Sequence, residues 1–261
     1  MKTNYHTHHE LCGHAIGTCE DYVLEAIKNN YQELGFSDHA PNSRVDDFGV
    51  RMKPKEFTTY LEDIKYVQEK YKNSLTIKKG MEVEFFYDHA KYYEFLKGEL
   101  DYLILGQHYI SHTKQMNDLK SSFALTSDKD IEIYAEFVCE GMKTMNFNIL
   151  AHPDLYMCGY QDWNQKAITV AKKIIKCAEK TNTILEFNGN GFRRGTRNTP
   201  QGKTQPYPRI EFWNLVKEHN VKTIFGVDCH SPEQIYDTTI KEAEVVYKNL
   251  GTNQVEFLFK K

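Results

Sequence analysis

Residues 221–230 read Val-Lys-Thr-Ile-Phe-Gly-Val-Asp-Cys-His. Ile224, Phe225 and Val227 form a short apolar run, the pattern of a buried strand, and the Ser231-Pro232-Glu233 that follows is a helix start. The strand therefore delivers Asp228 and His230, both of metal-ligand type, at its carboxyl end. The same arrangement recurs along the chain. In Asn4-Tyr5-His6-Thr7-His8 two imidazoles lie two residues apart, so in extended backbone both leave one face with Cα atoms ~6.6 Å apart. Leu34-Gly-Phe-Ser-Asp-His39, Ile77-Lys-Lys-Gly-Met-Glu82, Tyr102-Leu-Ile-Leu-Gly-Gln-His108 and Asn148-Ile-Leu-Ala-His152 each close an apolar run on a histidine or glutamate. A further run, Thr183-Ile-Leu-Glu-Phe-Asn188, ends in polar residues and glycines. Seven strands are thus expected to present their polar groups at the same end.

Helical patterns fill the spaces between them. Residues 19–30 follow Thr18 as N-cap with Asp21 three positions on, and Lys53-Pro54-Lys55-Glu56 opens an amphipathic helix carrying Phe57, Leu61, Ile64 and Val67. Further helices are expected over 88–97, from Ser127 or Asp128 through Met142, and over 165–180, 209–219 and 232–250. The polar stretch 109–126 reads as an extended loop on the ligand side. Strict alternation of strand and helix favours parallel β/α units. A closed barrel explains better than an open sheet why ligand-type residues come from every strand end. The expected fold is a distorted seven-stranded α/β barrel occupying residues 1–261 as one domain, with Val255-Glu-Phe-Leu-Phe as a candidate additional short strand.

The 261 residues, 40% of them hydrophobic, suffice for a sizeable core. A net charge of -3 provides no general attraction to nucleic acid or to an anionic membrane. There is no apolar amino-terminal signal region and no run long enough to span a bilayer, so the expectation is a soluble, cytoplasmic protein. The six cysteines form no CxxC pair, which reads as reduced thiols.

Imidazole and carboxylate together suit zinc, iron or manganese, and the absence of clustered cysteines argues against a closed structural zinc site. His6, His8, Glu82 and Asp228 can surround one ion, while His14, His39, His108, His152 and His230 supply nitrogen for one or two more. Glu84 shares a face with Glu82 and competes for the same role. Seven of the eleven histidines fall at or just after an expected strand end, too many for chance placement. The other four, His9, His89, His112 and His219, read as structural or solvated.

These motifs together resemble the polymerase and histidinol phosphatase superfamily, in particular its stand-alone histidinol-phosphate phosphatases: His-Thr-His at the start, Cys12-Gly-His-Ala, Ser37-Asp-His-Ala-Pro, Gly80-Met-Glu, Gly106-Gln-His, Ala151-His-Pro-Asp and Gly226-Val-Asp-Cys-His. The resemblance spans nearly the full length. It implies a distorted seven-stranded barrel and a trinuclear centre of divalent transition metals held by His6, His8, His14, His39, Glu82, His108, His152, Asp228 and His230. It also implies hydrolysis of a small phosphate monoester by metal-bound hydroxide, with Asp228, His39 or His230 passing a proton to or from the leaving group. Arg193, Arg194 and Arg197 are the first candidates to grip phosphate, because guanidinium matches phosphate oxygens bidentately. Arg44 and Arg51 are second candidates, and Asp46 or Asp47 can accept an ammonium group. Two rivals have their own signatures. An amidohydrolase shares the opening HxH but usually ends in a lone aspartate, and a metal-binding accessory domain would hydrolyse no phosphoester.

Overall fold

The computed structural model describes residues 1–45, 49–113 and 116–259. Strand β1 (Thr3–Asn4) leads to α1 (Cys19–Lys28), β2 (Glu33–Phe36), α2 (Phe57–Tyr71), β3 (Thr76–Val83), α3 (Ala90–Glu99) and β4 (Tyr102–Leu105). A small antiparallel pair, β5 (Tyr109–Ile110) and β6 (Lys120–Ser121), stands within the expected 109–126 loop. Then come α4 (Asp128–Lys143), β7 (Ile149–Leu150), α5 (Gln165–Thr181) and β8 (Ile184–Asn188). A second hairpin, β9 (Arg197–Thr199) with β10 (Gly202–Thr204), precedes α6 (Ile210–Lys217), β11 (Lys222–Gly226), α7 (Thr238–Leu250) and β12 (Asn253–Gln254).

Caps fix where the helices begin. Thr18 and Asp21 exchange hydrogen bonds at the start of α1, Ser127 and Asp130 do so at α4, and the Asn164 side chain accepts from Lys166 N and Ala167 N at α5. The helix expected over 232–250 is instead two elements, a 3-10 turn Pro232–Tyr236 and α7. Asp237 separates them: its backbone is extended at φ -78°, ψ -174°, and its carboxylate caps Ile240 N at 3.0 Å.

The main sheet runs β1-β2-β3-β4-β7-β8-β11-β12, with every pairing parallel. Its strands number eight, not seven. The additional one is Asn253–Gln254, just ahead of the stretch marked as a candidate; its exposed amide side chains carry no apolar signal, and only backbone pairing with Lys222 and Thr223 makes it a strand. Beyond the ends of β1 and β11 the two extensions meet: Asp228 N donates to His6 O at 2.9 Å and His8 N to Cys229 O at 3.0 Å. The sheet therefore curls until its first strand rejoins its seventh at the carboxyl rim.

Side chains alternate across this sheet with period two. Leu103, Leu105, Leu185, Phe187, Phe225 and Val227 belong to the large core packed with the helices, whereas Tyr102, Ile104, Ile149, Ala151, Ile184 and Ile224 form a separate buried cluster. On the same face as that second cluster, one step toward the carboxyl ends, stand Gly106, Glu186 and Gly226. The glycines are required there: a Cβ on Gly106 would overlap the Glu82 carboxylate, and one on Gly226 would overlap that of Glu186. All six cysteines are buried and unpaired, and among the described residues no helix is long and apolar enough to cross a membrane.

Candidate metal centre

The expected ligands arrive from six strand ends: His6, His8 and His14 after β1, His39 after β2, Glu82 within β3, His108 after β4, His152 after β7, and Asp228 with His230 after β11. They meet at one cavity of ≈ 260 Å³. Seven line it, and His6 and His8 are fully buried beside them. Ring centroids lie 4.4 Å apart for His8 and His230, 4.5 Å for His8 and His39, 4.5 Å for His14 and His230, and 5.1 Å for His108 with both His39 and His152.

Glu82 sits at the centre of these rings. Its Oε2 is 3.0 Å from His39 Nδ1 and 3.2 Å from His6 Nε2, and its Oε1 is 3.0 Å from His152 Nε2 and 3.4 Å from His108 Nε2. Asp228 Oδ1 lies 3.2 Å from His8 Nε2 and 3.5 Å from His6 Nε2, while Oδ2 accepts from Asn188 and Asn190. Of the two competing glutamates, it is Glu82 that stands among the imidazoles. Glu84 is turned to Arg51, at 2.9 and 3.1 Å, and to His108 Nδ1 at 3.1 Å.

Charge follows from burial and neighbours. Burial pushes the Glu82 and Asp228 carboxyls up, but the surrounding imidazoles outweigh it and hold both well below the usual carboxylate range. Burial lowers His39 well below its ordinary value; with the His8 ring beside it, His230 is lowered to about 4. These two imidazoles are neutral and offer lone pairs at neutral pH. For His6, burial acts downward but the carboxylates of Glu186, Asp228 and Glu82 prevail and raise it.

His6 Nε2, both ring nitrogens of His8, His39 Nδ1 and His152 Nδ1 are buried without a hydrogen-bond partner. Three of them, His6 Nε2, His8 Nε2 and His39 Nδ1, stand 3.0–3.2 Å from a Glu82 or Asp228 oxygen without hydrogen-bond geometry, and a buried polar atom left with no partner at all costs about 1–3 kcal/mol. Gathered round two ionised carboxylates, these nitrogens fit cations. Groups whose donor atoms all lie within 4.8 Å of one another include His6/His8/Asp228, His8/His39/His230 and His39/Glu82/His108.

Glu186 was not singled out in the sequence. It is buried, its Oε1 is 2.8 Å from His6 Nδ1, and its Oε2 accepts from Asn188 Nδ2 at 2.9 Å and His152 N at 3.3 Å. The usable signal was a carboxylate two residues before a strand end, on the face that carries the ligands. The four histidines set aside lie outside the cluster: His9 faces Asp38, His89 faces Asp88, His112 faces Asp130 and His219 faces Glu179.

Of the five arginines put first or second for phosphate, Arg194 and Arg51 line the cavity; the Arg194 guanidinium is 4.6 Å from the Phe123 ring centroid and its Nε 2.8 Å from Tyr207 Oη. Arg193 is drawn to Asp237 at 2.7 Å, Arg197 donates to Cys158 O, and Arg44 pairs with Asp88. Opposite charges and a carbonyl within reach direct these three elsewhere. Arg51 does line the cavity while holding Glu84. Asp46 and Asp47 lie outside the described residues.

Fold and donor set together define a β/α protein that gathers divalent-metal ligands at the carboxyl ends of its strands. Residues 4–190 match the PHP domain, and the chain belongs to that family. It is 26% identical to the "Probable histidinol-phosphatase" of Deinococcus radiodurans, covering 98% of this chain and 96% of that protein. It is 24% identical to the "Histidinol-phosphatase" of Bacillus subtilis, over 88% and 94% of the two chains. Among solved structures, the histidinol phosphate phosphatase of Lactococcus lactis, complexed with zinc, L-histidinol and phosphate, superposes with a TM-score of 0.75 at 16% identity, covering 97% of this chain and 95% of that one. At that identity the likeness speaks for the fold.

Proposed function

We propose that this protein, acting as one domain over residues 1–261, is a metal-dependent phosphatase that hydrolyses histidinol phosphate to histidinol and phosphate. The observation that carries the reading is the convergence of nine donors from six strand ends on one cavity, five of their imidazole nitrogens buried without partners. The nine are His6, His8, His14, His39, Glu82, His108, His152, Asp228 and His230, and they would hold two or three divalent ions, with zinc, iron or manganese suited to the donor set. When bound, the ions supply a water activated at neutral pH and offset charge on the phosphoryl oxygens.

The chain's own groups do the rest. Arg194, held between Phe123 and Tyr207, grips a phosphoryl oxygen from the cavity wall. Asn188 and Asn190 fix Asp228 Oδ2, so that Oδ1 stays turned to His6 and His8. Among Asp228, His39 and His230, His230 has the most exposed side chain, 20% against 10% and 12%, and we assign it the proton exchange: neutral at rest, it takes the proton released by the entering water and passes it to the leaving alcohol. Val50, Tyr109, Phe123 and Tyr207 give the wall an apolar, aromatic portion suited to a ring on that alcohol.

The test is turnover of metal-reconstituted protein on histidinol phosphate, a nucleotide diester and an aryl phosphate. Preference for histidinol phosphate by orders of magnitude is expected. Equal rates on all three would sink the substrate assignment, and cleavage of none would sink the phosphatase.

A further inference from the structure

The ladder between β1 and β2 is only two residue pairs long, Thr3 with Glu33 and Asn4 with Leu34. His8 and His39 both lie beyond it, so that ladder cannot set the spacing of these two ligands. Other contacts must do so. Thr7 and Ser37 supply one set: Ser37 N donates to Thr7 O at 2.9 Å and Thr7 N to Ser37 Oγ at 3.1 Å. The next residues supply a tighter one. His9 N donates to Asp38 Oδ1 at 3.0 Å, and His9 Nδ1 lies 2.8 Å from Asp38 Oδ2. One residue thus engages both oxygens of one carboxylate. His9 and Asp38 are 1% and 0% exposed, and the imidazole packs against Phe36 and Tyr60, so no water substitutes for a lost partner without a cavity being opened.

The pair stands immediately behind the ligands. His8 precedes His9, His39 follows Asp38, and their rings approach to 4.5 Å on the cavity side. Asp38 O also accepts from Glu82 N at 3.1 Å, which ties the same segment to the central carboxylate. We infer that His9 and Asp38 form a positioning pair that sets the separation of His8 and His39, and with it the affinity of the ion held by His8, His39 and His230. The inference rests on the metal-centre reading of the site. Neither residue of the pair belongs to the His8/His39/His230 group, and both oxygens of Asp38 are turned to His9.

A histidine merely filling space would be replaceable by leucine. The pair makes a directional demand, a donor at the Nδ1 position. Asparagine places its amide nitrogen there, whereas glutamine places its nitrogen where Nε2 sits. His9→Asn, His9→Gln and His9→Leu proteins, freed of metal, are therefore titrated with Co(II) against a chromophoric chelator, with visible spectra and bound equivalents recorded. Wild-type behaviour is expected for His9→Asn. For His9→Gln and His9→Leu, one equivalent should weaken by about tenfold or more with altered d–d bands while the remaining equivalents stay in place. Unchanged affinity and spectrum in both would overturn the inference. So would uniform weakening of every equivalent, which marks a general packing role. If His9→Leu does not fold, the contrast between Asn and Gln decides, with no difference between them counting against the pair. None of these readouts needs turnover, so wild-type metal binding without phosphatase activity would remove the proposed reaction and leave the positioning pair standing.

Discussion

Glu186→Gln is the substitution whose consequence the geometry fixes most tightly. The carboxylate accepts at both ends: Oε1 toward His6 Nδ1 at 2.8 Å, Oε2 from Asn188 Nδ2 at 2.9 Å and His152 N at 3.3 Å. An amide has one accepting and one donating end. If its oxygen faces His6, its NH2 confronts two donors, leaving buried groups unpaired at about 1–3 kcal/mol. If it turns over, its NH2 faces His6 Nδ1, which must then give up its proton. The imidazole proton moves to Nε2, the atom turned toward Glu82 and Asp228, and its lone pair is lost to any cation there. Either way His6 becomes a poorer ligand. Loss of such a supporting carboxylate weakens metal binding about tenfold to a hundredfold, or roughly 1.4 to 2.8 kcal/mol. Chelator competition with Zn(II) on wild-type and Glu186→Gln proteins measures it directly, with circular dichroism to establish that the variant is folded. A folded variant binding zinc as tightly as wild type would refute the reasoning.

Four further substitutions probe other parts of the molecule. Gly106→Ala pushes a methyl group into the space of the Glu82 carboxylate, so metal retention after dialysis should fall sharply while the helix content seen by circular dichroism persists. Arg194→Ala should lower kcat/KM for a phosphomonoester about tenfold to a hundredfold through loss of a charged hydrogen bond, whereas Arg193→Ala, which removes only the pairing with Asp237, should leave it within about twofold; steady-state kinetics on the two variants separates them. Asp130 is raised by burial but lowered more by Lys120, Ser127 and His112, so its folded pKa lies below the ordinary carboxylate value. Its stabilising contribution is then complete above the unfolded pKa and disappears as pH falls through the folded one, and Asp130→Asn should flatten the acid limb of a Tm-against-pH curve.

How far the sequence carried these conclusions depends on the kind of interaction. The fold was legible because its signals are local. Thr18 with Asp21 and Ser127 with Asp130 are capping pairs three residues apart, and both start helices where expected. Apolar runs closing on histidine or glutamate placed the strands, since period-two burial is written in adjacent residues. β12 escaped for the complementary reason: Asn253 and Gln254 are a strand only because Lys222 and Thr223 lie alongside, a relation between residues thirty-one positions apart. The break at Asp237 was visible in principle, as a capping residue inside a helical pattern, but the apolar spacing on either side concealed it.

The site divides along the same line. A ligand at a strand end announces itself by type and position, and the seven histidines so placed do come together. What lies behind the ligands does not. Glu84 and Glu82 share a face and a chemistry, yet Arg51, thirty-three residues before Glu84, takes one of them as partner. The arginines show this most plainly. Arg193 and Arg194 are adjacent and identical in type, but the backbone sends one toward Asp237 and the other over Phe123 and Tyr207. Composition could only say that a cation stood near the mouth; which one faced the cavity was set by an acid on one side and two aromatic rings on the other. The glycines sit between these cases. Gly106 precedes Gln107-His108 and Gly226 precedes Val227-Asp228, each two residues before an expected ligand, and each leaves room for a carboxylate from the neighbouring strand. A glycine at that position in a buried parallel strand, where it weakens the strand, therefore marks a place where an acid from next door must enter. Applied to β11, that rule directs attention to the adjoining strand β8 and so to Glu186.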